Sequence, residues 1–228
     1  MCDDSFAVSD LGYITAMIRT SATERYLSTV RGSRDPLLVE MEAYAAKHGV
    51  PIADAETAAL VAMLARAAGG RAVLEVGLAI GYTALHVARS LVAGGRVTSL
   101  EREAKMVAVA REFLSRDPAG TRVEIVKGDA ATTMAALSGP FDLVYVDADK
   151  TGYSRYVGLA LERLSPGGLV LIDNLLMGGA VAEGHGDGHW SQASVDAARE
   201  LSTGLTIDPA VSFVLLPVGD GVGVLQRR

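Results

Sequence analysis

The sequence predicts an α/β fold: a doubly wound, mostly parallel sheet of seven strands with helices on both faces and an antiparallel last strand. Two observations lead to this fold class. Apolar β-type runs alternate with helical stretches through the middle of the chain, the pattern of parallel strands joined by crossover helices. The last two runs are separated only by a short Pro-Val-Gly-Asp-Gly turn, which predicts an antiparallel hairpin.

The N-terminal quarter is predicted to be helical. Residues 10–50 have a helical pattern that is interrupted by a polar loop over Leu27–Asp35. Pro36 suits the first turn of the next helix, which runs to about His48 and is followed by a glycine. A further helix over Glu56–Ala68 ends at two consecutive glycines.

Strands and helices then alternate. The predicted parallel strands are the short apolar segments at about 72–77, 96–101, 122–127, 141–147 and 168–173. The predicted helices between them cover about 82–93, 103–115, 130–137 and 151–164. The final hairpin is formed by Val211–Leu216 and Val222–Gln226.

Composition narrows the class of protein. A chain of 228 residues, half of them hydrophobic, suits one α/β domain spanning 1–228. The net charge of −6 argues against a nucleic-acid surface, and no apolar run reaches the ~18 residues of a membrane span. The acidic N-terminus leads into no secretory apolar region, and Cys2, the only cysteine, excludes an intrachain disulfide. We therefore expect a cytoplasmic protein.

Two strand ends carry the most informative polar residues. The segment Val144–Lys150 and the segment Ile172–Asn174 both run from apolar residues into acids and amides. Carboxyl ends of parallel strands are where ligands bind, so Asp147, Asp173 and Asn174 should surround one point. Two carboxylates and an amide oxygen suit Mg²⁺ or another hard divalent cation.

Lys150 adds a titratable amine beside the predicted cation. The arrangement suits a site that ionises and positions a hydroxyl group, with Lys150 as the base that takes the proton. From the residues alone, Lys150 is equally well explained as an electrostatic partner of Asp147 or Asp149.

A glycine-containing loop follows the first strand. Gly77 and Gly81 allow the backbone to approach a ligand, and the helix that follows offers free N–H groups. The spacing is G-x-x-x-G, not the G-x-G-x-x-G of dinucleotide sites, so the loop alone fits either a cofactor site or a tight turn. Glu101 ends the second strand, where an acid binds ribose hydroxyls or is simply solvated. Asp129, after the third strand, fits an adenine pocket or a helix N-cap.

These motifs together, in this order and spacing, resemble the cation-dependent O-methyltransferases of the catechol and caffeoyl-CoA type, which use S-adenosylmethionine. The matching segments are EVGLAIGYT, Glu101, GDA, FDLVYVDADKTGY and GGLVLIDNLLMGGAV. The resemblance covers about Asp54 to the C-terminus. It implies a Rossmann-like methyltransferase fold whose last strand inserts antiparallel into a seven-stranded sheet.

The resemblance also implies roles for single residues. Around the cofactor these are Glu75 and Gly77 at the methionine part, Thr83 at its carboxylate, Asp149 at its amino group, Glu101 at the ribose and Ala130 at adenine. Asp147, Asp173 and Asn174 would bind the metal, and Lys150 with Asp147 would perform the catalysis. One departure is Met177, where a tryptophan is common, and this leaves the acceptor undefined.

The methyl acceptor is expected to be a small phenol with two adjacent hydroxyls. Residues 1–53 are expected to contribute to the substrate site and to homodimer contacts, and residues 176–190 to shape the acceptor pocket. Within the latter, His185, His189 and Trp190 suit a lid or a solvent-facing loop better than a metal site, because the glycines disfavour a helix. Two alternatives are an NAD-linked dehydrogenase, which the missing glycine motif disfavours, and a non-catalytic cofactor-binding scaffold, which would need no Lys150.

Overall fold

The protein is described from a computed structural model, and the description extends to residues 21–30 and 35–228. Cys2, the beginning of the predicted N-terminal helical region and residues 31–34 of the predicted loop lie outside the described residues. The chain forms a small N-terminal unit that ends at Glu40 and a larger unit, Met41–Arg228. Among the described residues, no helix combines the length and the apolar character needed to cross a bilayer.

The larger unit contains the predicted seven-stranded sheet. Its strands are β1 (Ala72–Val76), β2 (Arg96–Glu101), β3 (Val123–Lys127), β4 (Phe141–Val146), β5 (Leu164–Ile172), β6 (Val211–Leu216) and β7 (Val222–Arg227). They lie in the order β3-β2-β1-β4-β5-β7-β6. The strands β1 to β5 pair in parallel, whereas β7 lies between β5 and β6 and is antiparallel to both. The predicted fold class and the antiparallel last strand are confirmed.

Helices connect the strands and precede the sheet. In the described residues they are α1 (Ser21–Val30), α2 (Pro36–His48), α3 (Ala55–Ala67), α4 (Tyr82–Ser90), α5 (Ala104–Leu114), α6 (Ala130–Ala136), α7 (Tyr153–Glu162), α8 (Ala180–Glu183) and α9 (Gln192–Ile207). Short 3₁₀ turns cover Pro118–Arg122, Lys150–Gly152 and Met177–Gly179. Some of the helices begin with a side-chain cap: before α3, the Asp54 carboxylate accepts the backbone N–H of Thr57 at 2.7 Å.

Strand β5 begins earlier than predicted. The sequence indicates a strand from about residue 168, but β5 starts at Leu164, which pairs with Phe141. A register irregularity between Phe141 and Leu143 accommodates the Ser-Pro-Gly-Gly segment inside β5. Proline and glycine are typical of turns, so the local sequence does not indicate that the strand begins before residue 168. Pairing with β4 extends the strand back to Leu164.

Helix α9 was not predicted. The Ser191 side chain caps it by accepting the backbone N–H of Ser194. Its apolar face buries Val195, Ala198, Leu201 and Leu205, at the spacing expected of one helical face. The neighbouring glycine-rich segment masks this periodicity in the sequence.

The core lies on both faces of the sheet and aligns the strand ends. Along β4, Leu143 and Tyr145 are buried on one face and Val144 and Val146 on the other. Val146 pairs with Val76 of β1 and with Ile172 of β5. These three strands therefore end at one level, and the residues that follow them meet at the same edge.

Candidate active site

A cavity of about 780 Å³ opens at the carboxyl ends of β1, β2, β4 and β5. Its volume lies within the range of about 300–1,000 Å³ that is usual for small-molecule sites. Nine of the predicted site residues line it: Gly77, Thr83, Glu101, Ala130, Asp147, Asp149, Lys150, Asp173 and Asn174. All residues of this cavity lie in the larger unit, including residues 50–53 from the predicted N-terminal substrate segment.

The sheet register brings the predicted metal ligands together. Asp147 and Asp173 directly follow the paired residues Val146 and Ile172, and the Asp173 N–H donates to the Val146 carbonyl at 3.0 Å. Lys150 Nζ donates to Asp147 Oδ1 at 2.9 Å and to Asn174 Oδ1 at 2.5 Å. One cationic group therefore contacts oxygens from both strand ends.

Asp173 is the most buried member of this group. Its Oδ2 accepts the hydroxyl of Tyr145 at 2.5 Å, and its Oδ1 accepts the backbone N–H of Asn174 at 2.7 Å. Burial, together with the nearby negative charge of Asp147, raises the pKa of Asp173 to about 7. A cation beside these two carboxylates would relieve both effects.

The donor set fits a hard divalent cation. Two carboxylates and one amide oxygen are ligands that Mg²⁺ and similar ions accept, with water or substrate oxygens completing the shell. In the described part of the chain, no three His, Cys, Asp or Glu side chains group closely enough to bind a metal ion together. The amide oxygen of Asn174 would therefore be needed as the third protein ligand.

The loop between β1 and α4 forms the opposite half of the cavity. Gly77 has φ +104°, and a Cβ on it would lie 2.0 Å from the Asp147 carbonyl oxygen, so only glycine fits this approach. Glu101 fastens the loop from β2: its Oε2 accepts the N–H of Ala79 at 3.0 Å and its Oε1 that of Glu103 at 2.8 Å. Glu101 is thus held in place at the cavity rather than freely solvated.

Glu75 is the one predicted site residue that does not line the cavity. It is buried in β1, where its carboxyl accepts the hydroxyl of Ser99 at 2.6 Å. Burial raises the pKa of Glu75 to about 8, opposed by the Ser99 bond and reinforced by the negative charges of Asp147 and Glu101. The carboxyl therefore joins β1 to β2 through a buried hydrogen bond.

Asp129 caps α6, because its Oδ1 accepts the N–H of Thr132 at 2.9 Å and also the Thr132 hydroxyl. These bonds hold the pKa of Asp129 below its usual range. Gly128, Asp129 and Ala130 also line the cavity, so the cap and the predicted adenine pocket coexist there.

Several lining residues were not predicted from the sequence. They include Tyr82 and Met106. Asp220, which the sequence explains as a turn residue, also lines the cavity, and its backbone carbonyl accepts the N–H groups of Leu176 and Met177. None of these residues carries a sequence signal for ligand binding.

The loop before α9 brings His189 and Trp190 to the cavity. The Asp187 carboxylate accepts the backbone N–H groups of both residues, at 2.9 and 2.8 Å, and so forms a local turn within the loop. The Trp190 ring centroid lies 5.7 Å from Lys150 Nζ, and the His189 ring packs edge-on against it. His185, in contrast, is exposed and contacts Glu183.

Comparison with known proteins now assigns the family. A sequence profile described as O-methyltransferase matches residues 30–228, most of the chain. The chain belongs to the O-methyltransferase family. Catechol O-methyltransferase of Niastella koreensis is 29% identical over 211 residues, covering 90% of this chain and 92% of that protein. Caffeoyl-CoA O-methyltransferase of Petroselinum crispum is 26% identical, covering 96% and 95%.

Solved O-methyltransferases share the fold. The crystal structure of the O-methyltransferase TomG from Streptomyces achromogenes, in complex with SAM, has a TM-score of 0.80 and 28% identity. The similarity covers 90% of this chain and 96% of TomG. The family resemblance predicted from the motifs is thereby confirmed, and it replaces the dehydrogenase and scaffold alternatives.

Proposed function

We propose that this O-methyltransferase uses S-adenosylmethionine and a divalent cation, Mg²⁺ in the first instance, to methylate one hydroxyl of a catechol-like acceptor. The observation that carries the proposal is the double contact of Lys150 with Asp147 and Asn174 inside the cavity that the glycine loop borders. The amine of Lys150, the proposed base, would thus lie beside the oxygens that are proposed to bind the cation. Solved relatives with bound SAM support the choice of cofactor.

The two halves of the cavity would bind different ligands, one the cofactor and the other the cation. Gly77, Thr83, Glu101, Ala130 and Asp149 would bind the cofactor along the ends of β1 to β4. Asp147, Asp173 and Asn174 would hold the cation at the ends of β4 and β5. When bound, S-adenosylmethionine supplies an electrophilic methyl group, and the cation supplies positive charge that favours an ionised hydroxyl on the acceptor.

Lys150 is placed to take the proton of the acceptor hydroxyl. Its Nζ lies at the predicted ligands and faces the rings of Tyr153, at 5.2 Å, and Trp190, at 5.7 Å. A neutral amine would act as the general base, whereas an ammonium would only orient the oxygen. Holding the acceptor oxygen in line with the methyl group would itself contribute several kcal/mol, about 7–11 in ideal cases.

An aromatic acceptor is favoured by Trp190. Its ring borders the cavity beside Lys150, and Asp187 fixes the loop that carries it. An aromatic acceptor ring could pack against this indole while two adjacent hydroxyls face the predicted ligands. Together with the names of the relatives, this supports a vicinal dihydroxy aromatic.

A methyl-transfer assay tests the proposal. Labelled S-adenosylmethionine would be incubated with the protein and with catechols or matched monohydroxy phenols, in Mg²⁺, in EDTA, and in EDTA followed by excess Mg²⁺. We expect methylation of catechols only, abolished by EDTA and restored by Mg²⁺. Activity that is unchanged in EDTA would exclude the cation-dependent mechanism.

Ligand variants sharpen this test. Asp147→Ala and Asp173→Ala each remove a ligand and a charge, so both should abolish cation-dependent turnover while S-adenosylhomocysteine still binds. Asp196→Ala is the control, because Asp196 is exposed on α9 and accepts a hydrogen bond from the Gln192 side chain. If the two ligand variants kept the activity of the control, the assignment of the ligands would be wrong.

We also propose that the protein forms a homodimer, that residues 1–53 contribute to acceptor binding, and that the protein is cytoplasmic. Light scattering after size-exclusion chromatography would measure the mass of the particle, and a mass equal to one chain of 23.7 kDa would contradict the dimer.

A further inference from the structure

Tyr145 places a hydroxyl deep in the sheet, beneath the predicted cation site. The residue is 1% exposed and its strand neighbours Val144 and Val146 are apolar. Tyr145 pairs with Leu171 of β5, and residues two apart on a strand share a face. Tyr145 and Leu171 therefore lie two residues before Asp147 and Asp173, respectively.

The hydroxyl of Tyr145 reaches the Asp173 carboxylate. It donates to Oδ2 at 2.5 Å, while the backbone N–H of Asn174 donates to Oδ1 at 2.7 Å. Because the two donors bind different oxygens, together they fix the rotation of the carboxylate plane. Each oxygen retains a second acceptor direction, so the bonds orient the group without using up its capacity to bind a cation.

A tyrosine hydroxyl buried this deeply must be stabilised by a polar contact. Burying it would cost free energy if it had no partner, and an apolar side chain would fill the same place in the core. The short bond to a charged or partly charged carboxylate offsets that cost. The residue that receives the bond is the least exposed of the three predicted cation ligands, and it is therefore the one least accessible to orienting water.

We propose that Tyr145 is a positioning residue that holds the Asp173 carboxylate in the orientation required for cation binding. This inference rests on the cation-dependent function proposed above. Partners that orient metal ligands from behind contribute strongly to metal affinity, and losing one typically weakens binding 10–100-fold. The effect should appear in cation affinity before any substrate is added.

Tyr153 provides a matched control. It is 0% exposed, and its hydroxyl donates to the backbone carbonyl of the same residue, Asp173, at 2.8 Å. Tyr145→Phe and Tyr153→Phe thus delete one buried hydroxyl each, and both deletions break a bond to Asp173. Only the first deletion frees the carboxylate. A single lost hydrogen bond costs about 1–3 kcal/mol, which a domain of ordinary stability survives.

Calorimetric titration of the full-length protein with Mn²⁺ and with Mg²⁺ tests the inference. We expect Tyr145→Phe to raise the cation Kd about 10–100-fold and Tyr153→Phe to change it less than about threefold. S-adenosylhomocysteine affinity and thermal unfolding, measured on the same samples, should change about equally in the two variants. That pattern separates an orienting role from a general loss of stability.

The other outcomes overturn the inference in distinguishable ways. Equal cation Kd values in the wild type and in Tyr145→Phe would show that Tyr145 only satisfies a buried carboxylate, while the proposed function would stand. Equal losses in both variants would show that any lost hydrogen bond to Asp173 lowers the affinity, and not the freed carboxylate in particular. A wild-type protein that binds neither cation would overturn the proposed function and this inference together.

Discussion

Lys150 donates a hydrogen bond to the amide oxygen of Asn174 over 2.5 Å, although the two residues are 24 positions apart in the chain. The bond joins the segment after β4 to the segment after β5. The same amine contacts Asp147 at 2.9 Å, so it shares its partners with the proposed cation. The proposed chemistry at Lys150 therefore requires that the segments after β4 and β5 lie side by side.

Lys150→Met tests the role of the amine while keeping the length of the side chain. We expect kcat near neutral pH to fall by about 10²–10⁴-fold, the usual contribution of a general base. The loss should shrink as the pH rises toward the pKa of the bound acceptor hydroxyl, which the cation would lower below the value of about 10 for a simple phenol, because the acceptor then ionises unaided. The measurement is kcat against pH at saturating cation.

Lys105→Met is the control for lost positive charge, because Lys105 is exposed on α5 and does not line the cavity. It should leave the pH profile of kcat unchanged. If Lys150→Met lost the same fraction of kcat at every pH, Lys150 would be an electrostatic partner of Asp147 and not a base.

Glu101 should contribute to cofactor affinity through its charge. Both carboxylate oxygens accept backbone N–H groups, from Ala79 and from Glu103, so an amide in its place would turn one NH₂ toward a donor. We expect Glu101→Gln to weaken S-adenosylhomocysteine binding by about 10–100-fold, the worth of a hydrogen bond to a charged group. Calorimetric titration measures the change.

Glu124→Gln removes the same charge from β3 at an exposed position outside the cavity. It should leave the Kd for S-adenosylhomocysteine within about twofold of the wild type, since exposed charges interact weakly. A similar loss in both variants would mean that net charge, and not the contact at the loop, controls affinity.

The Trp190 side chain should affect the binding of the acceptor more than the binding of the cofactor. Its ring borders the cavity beside Lys150, and stacking of aromatic rings is worth about 0.5–1.5 kcal/mol beyond the area buried. Trp190→Ala should therefore raise the KM for a catechol several-fold, with Trp190→Phe intermediate. His185→Ala, at an exposed position of the same loop, serves as the reference. An unchanged KM in Trp190→Ala would show that the Trp190 ring does not contribute to acceptor binding.

The buried carboxyl of Glu75 should make stability depend on pH. The fold raises the pKa of Glu75 to about 8 from an ordinary value of 4.5, so the folded state retains a proton that the unfolded state loses. Stability from this group is complete below about pH 4.5 and is lost as the pH rises to about 8. Each unit of that displacement corresponds to about 1.4 kcal/mol.

Glu75→Gln removes this titration while keeping the shape of the side chain. Urea unfolding at pH 5 and pH 8, in EDTA and without cofactor, should show a smaller loss of stability in the variant than in the wild type. Asp173, whose pKa is raised to about 7, contributes a loss of the same sign in both proteins and cancels in the comparison. Parallel losses in the two proteins would show that Glu75 is ionised in the folded state.

The sequence predicted the elements whose signals are local. Helix α2 has the predicted bounds, Pro36–His48, because proline suits its first turn and glycine follows it. The sheet and its hairpin were also predicted correctly. The first residues of β5 and the whole of helix α9 were missed, because proline and glycine in or beside them are typical of turns.

The predicted site residues were recognised by type, but their partners were not. That Asp147, Asp173 and Asn174 should meet follows from parallel strands ending at one edge. No pattern in the sequence shows that the Tyr145 hydroxyl bonds a carboxylate 28 positions away, or that Trp190 reaches Lys150 from a glycine-rich loop. Such contacts depend on tertiary packing, which a local sequence pattern does not encode.

The pairing of Val146 with Ile172 determines where insertions and deletions can occur in this enzyme without separating the site residues. Residues added on the surface between β4 and β5 lengthen a connection but leave that pair, and therefore Asp147 and Asp173, side by side. A deletion of one residue inside either strand turns every following side chain to the opposite face. Natural or engineered insertions should thus accumulate in the connections, while the two strands keep a constant length up to the carboxylates.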